Sequence, residues 1–75
     1  MELTIEQALQ QGIAAHKEGK LEEAERLYRA ILQSQPAHSD ANHNLGLIAI
    51  SVNQIEAALP LFKTALDVNP NVEQF

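Results

Sequence analysis

The sequence predicts an all-α fold made of two antiparallel helix–turn–helix hairpins, and three observations carry that reading. The first is an internal repeat. Pro36 and Pro70 stand 34 residues apart, and the same shift brings Gly12 onto Gly46, Ala24 onto Ala58, Tyr28 onto Phe62 and Leu32 onto Leu66. Ala15 and Ala49, Leu21 and Ile55, Glu22 and Glu56, Leu27 and Leu61, and Arg29 and Lys63 fall into the same register. A fixed period of roughly 20–50 residues marks a stacked-repeat architecture. The second is helical spacing of apolar residues, clearest at Leu21, Ala24, Leu27, Tyr28, Ile31 and Leu32. The third is composition: 45% of residues are hydrophobic, yet Tyr28, Phe62 and Phe75 are the only aromatics. An aliphatic, alanine-rich core suits closely packed helices better than β-branched and aromatic strands.

Each element follows in order. Thr4 with Gln7 three positions later forms a capping-box start, and the first helix runs to about Glu18. Gly19 permits the left-handed residue that ends it. The second helix spans Leu21 to about Ser34, with Glu22, Glu23 and Glu25 at the positive end of its dipole, and Pro36 stops it. The third is expected over roughly Ser39 to Ser51 and the fourth over roughly Ile55 to Asp67, before Pro70. Connections of two to five residues make successive helices antiparallel. Gly12 and Gly46 sit inside helices, where each costs about 1 kcal/mol relative to alanine. The expected return is close helix approach opposite Ala24 and Ala58. Pro60, just past the first turn of its helix, forfeits a hydrogen bond and bends the rod without breaking it.

Composition excludes several classes of function. A chain of 75 residues holds one small domain with little buried surface, and the absence of cysteine removes disulfide staples and thiolate metal sites. No apolar run approaches the roughly 20 residues needed to span a bilayer. The opening Met-Glu-Leu-Thr-Ile-Glu carries acid where a secretion signal carries base, so a cytoplasmic location is the expectation. With a net charge of -5 and five scattered basic residues, neither nucleic acid nor a membrane surface is an expected partner. His16, His38 and His43 lack metal-ligand spacing, and Asp40 with His43 has no serine or cysteine nucleophile arranged beside it. No metal, no cofactor and no catalytic residue is expected; the chain does not read as an enzyme. The Glu22-Glu23-Glu25 cluster reads as a solvated helix start, and Tyr28 and Phe62 as core.

The residues resemble the tetratricopeptide repeat, a 34-residue helix–turn–helix. The second unit matches its pattern with Leu45-Gly46, Ala58, Phe62, Ala65 and Pro70, the first with Gly12, Gly19, Ala24, Tyr28 and Pro36. The departures are Ala8 and Asn42 for a bulky opener, Gln11 for leucine, Ala15 and Ala49 for tyrosine, and Ile31 for alanine. The resemblance makes residues 1–75 a single domain, with a first repeat at 5–38, a second at 39–72 and the start of a further helix at 73–75. It implies an α–α superhelix whose concave face, lined by the first helix of each unit, holds an extended peptide or protein segment. By register that groove is assigned Gln10, Ile13 and Lys17 from one unit and Asn44, Leu47 and Ser51 from the other. Glu6 and Asp40 join them, with Leu9 and His43 alongside. Asn44 stands where some members carry an asparagine that bonds a peptide backbone, and Gln10 holds the same place in the first unit. A carboxamide both donates and accepts, which suits that role. The carboxylate clamp of chaperone-binding members is not expected. Leu9 and Ile13 occupy its lysine and asparagine positions, and Glu6 and Asp40 would repel an acidic tail.

Asn71-Val72-Glu73-Gln74-Phe75 reads as the opening of another first helix, so the chain is expected to be a fragment of a longer protein. Terminal repeats ordinarily carry a polar outer face, and the last helix does not. Leu59, Phe62 and Leu66, with Phe75, are therefore expected to form a self-association surface, giving a homo-oligomer and most simply a dimer. A domain-swapped form is a further expectation, because the Val52-Asn53-Gln54 turn lacks the glycine found at Gly19. Function is expected to be that of an interaction module or scaffold. The alternative is a substrate-selecting portion of a larger enzyme, such as a glycosyltransferase-like protein, an analogy that no residue here carries.

Overall fold

The computed structural model describes residues 3–68, which form four helices: α1 (Ile5–Lys17), α2 (Leu21–Ser34), α3 (Ser39–Ser51) and α4 (Ile55–Val68). Among the described residues there is no strand. The helix ends lie within about one residue of the sequence expectation, inside the normal fraying of helix termini.

Local chemistry explains each boundary. At α1 the capping box is complete: Gln7 N donates to Thr4 Oγ1 at 3.0 Å and Thr4 N to Gln7 Oε1 at 3.1 Å. At its far end Gly19 takes φ +80, Gly19 N donates to His16 O at 3.0 Å and Lys20 N to Ala15 O at 2.9 Å. This pair of bonds satisfies carbonyls that the helix leaves open, in the Schellman arrangement. One repeat later the same turn is made without glycine. Asn53 adopts φ 64, Asn53 N donates to Ile50 O at 3.0 Å and Gln54 N to Ala49 O at 2.7 Å. Asparagine tolerates that left-handed conformation better than other side-chain-bearing residues. The two intra-hairpin turns are therefore one device, built once with Gly19 and once with Asn53. Pro60 sits within α4, whose helix continues through it.

Packing follows the sequence repeat. α1 lies against α2 and α3 against α4, while α3 also touches α2 and α1. The core runs across both hairpins. Leu9, Ala24, Tyr28 and Ile31 meet Ala41, Leu45 and Ile48 in one buried cluster, with Ile13, Leu21, Leu32 and Leu61 packed on it. Stacking thus buries a continuous seam that neither hairpin closes alone.

The helical glycines are sites of close approach by the facing helix, and the approaching group is a ring. A Cβ on Gly12 would lie 2.6 Å from Tyr28 Cε1, and one on Gly46 would lie 2.8 Å from Phe62 Cε1. The missing side chain lets the facing helix come close, as expected, and the nearest approaching atoms belong to an aromatic ring. Tyr28 is fully buried and its ring has nowhere to retreat, whereas Phe62 is only partly covered.

Tyr28 also buries a hydroxyl that finds no hydrogen-bond partner among the described residues. Burial pushes that group above its ordinary pKa of 10.0, because the charged form is denied water.

Two outcomes follow from this packing. Gly12→Ala gains about 1 kcal/mol of helix propensity but overpacks against a fixed ring, at about 1–3 kcal/mol. Urea unfolding is expected to show a net loss for Gly12→Ala and a smaller loss for Gly46→Ala, where the half-covered Phe62 can shift. Tyr28→Phe removes an unsatisfied hydroxyl and is expected to raise the unfolding free energy by about 1 kcal/mol. The pH dependence has a definite sign. Below pH 10 both folded and unfolded states keep the proton. Above it the unfolded state loses the proton first, so stability falls as pH rises. Unfolding measured on both sides of pH 10 should show that alkaline loss in the parent and a weaker one in Tyr28→Phe.

Candidate partner-binding face

The first helices of the two hairpins, α1 and α3, are in direct contact, so their outward faces form one surface. Helical spacing puts Gln10, Ile13 and Lys17 along one line of α1 and Asn44, Leu47 and Ser51 along the matching line of α3. Gln10, Lys17, Leu47 and Ser51 are exposed, and Ile13, His43 and Asn44 are half-buried. Ile13 packs on the core cluster with part of its side chain, so it belongs to both the face and the seam beneath. Glu6 and Asp40 are exposed near the start of each helix. Leu9, expected beside the groove, is instead buried in the core, because α3 lies over that part of the first hairpin.

Several side chains on this surface are already engaged. Ser51 Oγ donates to Ile48 O at 2.8 Å, turning its hydroxyl back onto its own helix. The His43 ring meets Phe62 edge-on, with centroids 5.6 Å apart and planes at 60°. Such edge-to-face contact adds about 0.5–1.5 kcal/mol beyond the area buried. It ties α3 to α4 at the level of Asn44 and Leu47. Of the residues expected to form a self-association surface, Leu59 and Leu66 are exposed and Phe62 is half-buried, while Phe75 lies outside the described residues.

The residues that aim α3 were not singled out as such by sequence reasoning. His38 is the N-cap of α3, its Nδ1 accepting from Ala41 N at 3.1 Å. Asn42, noted only as a departure from a bulky residue, is buried and donates through Nδ2 to Pro36 O at 3.1 Å and His38 O at 2.9 Å. It clasps the connection between the hairpins and so fixes the angle at which α3 leaves it. The legible signal was an asparagine in a position whose neighbours Ala41 and Leu45 are apolar. A polar side chain among core residues must find its partners in the backbone nearby. Asn42→Leu leaves the Pro36 carbonyl without this donor, and a loss of about 1–3 kcal/mol is expected on urea unfolding.

No group of three or more histidine, cysteine, aspartate or glutamate side chains is gathered in a metal-holding arrangement among the described residues. No helix there is long and apolar enough to cross a membrane. No curated protein sequence matches the chain. A family model described as tetratricopeptide repeat matches residues 15–75, from the second half of α1 through the second hairpin. Modules of this kind generally mediate protein interactions and are typically non-catalytic. The family match, the four antiparallel helices and the 34-residue register agree, and the chain belongs to the tetratricopeptide repeat family.

Proposed function

We propose that this chain is a protein-interaction module whose α1/α3 face takes an extended segment of another protein. The observation that carries the reading is the pairing of Gln10 and Asn44. They are equivalent in the repeat and lie on two helices in contact, and among the described residues neither side chain is held by a hydrogen bond. Carboxamides so placed are fitted to donate to a carbonyl and accept from an N–H of an extended backbone. Ile13 and Leu47 supply apolar ground between them, and Lys17 adds a cation at one end. Glu6 and Asp40 at the other end disfavour acidic segments by like-charge repulsion. The outward face of α4, bearing Leu59, Phe62 and Leu66, we assign to self-association.

The test is selection from an unbiased display library of extended peptides, followed by titration of the enriched sequences. Enriched peptides are expected to be poor in acidic residues at their C-termini. Gln10→Ala combined with Asn44→Ala should weaken them about tenfold or more without changing helical content, since two backbone hydrogen bonds are lost. Peptides that bind the double variant as tightly as the parent would remove the α1/α3 face as the binding site.

A further inference from the structure

The 34-residue register turns the junction between the hairpins into a template for the outer side of the second hairpin. Leu9, Ile13, Leu21, Tyr28 and Leu32 of the first hairpin are buried or half-buried, and Ile13, Leu21 and Leu32 pack on the shared core. One repeat on, they become His43, Leu47, Ile55, Phe62 and Leu66, and here Leu47 is 41% exposed, Ile55 55% and Leu66 44%. Leu59, 63% exposed, stands where the first hairpin has Glu25. Along α4 the residues Ile55, Leu59, Phe62 and Leu66 recur at helical spacing and make one apolar stripe.

The outer side of the first hairpin does not fit that stripe. In the internal junction the covering residues are Ala41, Leu45 and Ile48 of α3. Their equivalents on α1 are Gln7, Gln11 and Ala14, all exposed, with Glu23 on α2 in place of Ala57. Head-to-tail stacking of copies would bury two glutamines and a glutamate against leucine and phenylalanine, with no partners to repay their desolvation. A cleft of about 500 Å³ lined by Leu3, Ile5, Leu27 and Ala30 lies on the first hairpin, between the start of α1 and the end of α2. It leaves Gln7, Gln11 and Glu23 where they are.

The stripe does fit itself. Two α4 helices laid antiparallel about a twofold axis set Ile55 opposite Leu66 of the second copy and Leu59 opposite Phe62. The same axis brings like flanks together. Glu56 and Lys63 lie on one flank of the stripe, both exposed, so each Lys63 falls within two residues, about 3 Å of helical rise, of Glu56 in the other copy. Within one chain Lys63 reaches Asp67 at 3.1 Å, while among the described residues no salt bridge engages Glu56. The other flank of each α4 carries Ala58 and Ala65 toward α3, so Leu47 and Ile50 extend the apolar surface on that side. A parallel pairing brings unlike flanks together and forms no such Glu56–Lys63 pair.

We propose that the chain forms an isologous dimer through α4 laid antiparallel on α4 of a second copy, with Leu59 and Phe62 at its centre and two Glu56–Lys63 pairs at its rim. This rests on the assignment of the α4 face to self-association and adds its partner and register. Sedimentation equilibrium of the 75-residue chain, from micromolar to millimolar, is expected to show mass rising from 8.3 kDa toward twice that value and no further. Leu59→Glu should raise the dimer Kd about tenfold or more, because it sets a carboxylate in the desolvated centre. Glu56→Lys and Lys63→Glu should each raise it about three- to tenfold, and the double exchange should restore it. Asn53→Gly should leave it unchanged. A monomer at every concentration, or a dimer indifferent to Leu59→Glu, overturns both the assignment and the proposal. A mass that keeps growing overturns it in favour of head-to-tail stacking, and a dimer loosened by Asn53→Gly in favour of a domain swap. A dimer sensitive to Leu59→Glu but indifferent to the charge exchange keeps self-association and overturns the antiparallel register.

Discussion

Each hairpin is organised by an aromatic ring seated on a glycine of the facing helix, Tyr28 on Gly12 and Phe62 on Gly46. With so few aromatics in the chain, most of the core is small: Ala8, Ala15, Ala24, Ala41, Ala49, Ala58 and Ala65 are all buried. Small residues bury little apolar area apiece, so stability depends on how closely the helices approach. The ring–glycine contact sets that distance. Once α1 and α2 are fixed by it, Ile31 and Tyr28 present the surface on which Ala41, Leu45 and Ile48 of α3 come to rest. The first hairpin is completed by the second, and the proposed binding line of Gln10 and Asn44 depends on that stacking to hold α1 and α3 side by side.

The two copies of the motif then show what a neighbouring helix contributes. Tyr28 and Phe62 occupy equivalent places, yet one is fully buried and the other half-exposed. The difference is the presence of α3 over the first ring. His43 partly makes up for it by meeting Phe62 edge-on, at the position where Leu9 is buried in the first hairpin. A histidine there is compatible with a surface that is sometimes wet and sometimes covered, since an imidazole presents an apolar face and a polar edge. The same logic separates Glu25, bonded to Arg29 at 2.8 Å, from its equivalent Leu59. An ion pair suits a position at the rim of a permanent junction, whereas a bare leucine at 63% exposure is a liability unless something apolar comes to it.

The fold was legible because periodicity survives any ignorance of tertiary contacts. The 34-residue shift, the Thr4–Gln7 box and the stop at Gly19 are local or self-referential signals, and the helices fall where these place them. Roles that depend on a side chain's surroundings were harder to read. Asn53 was legible as the absence of a glycine but not as a left-handed residue making the same turn that Gly19 makes. Gly12 and Gly46 were legible as close-approach sites, while the approaching group turned out to be a ring. Asn42 and His38 could not be aimed from sequence, because their partners are carbonyls and amides of a turn whose path was unknown. Leu9 was misplaced for a related reason: register alone assigns a helical position to an outer face without saying that the next helix overhangs it.

The misplacement of Leu9 bears on how the molecule would meet other proteins. A face read by register is shared between partner and neighbouring helix, and Ile13 stands on that boundary, half on the core and half in the open. Its equivalent, Leu47, has lost the covering and is exposed. A segment lying across α1 and α3 would therefore touch Leu47 at the edge where the α4 stripe begins. Joining two copies through α4 brings both Leu47 side chains toward the same seam, and the grooves of the two copies would adjoin there. Under the two proposed readings, occupancy of one surface would change the apolar area available to the other, so the two events would be thermodynamically linked, any effect of peptide on dimer equalling the effect of dimer on peptide. The sign of that linkage is decided at Leu47, by whether one bound partner leaves its side chain covered or open to the next.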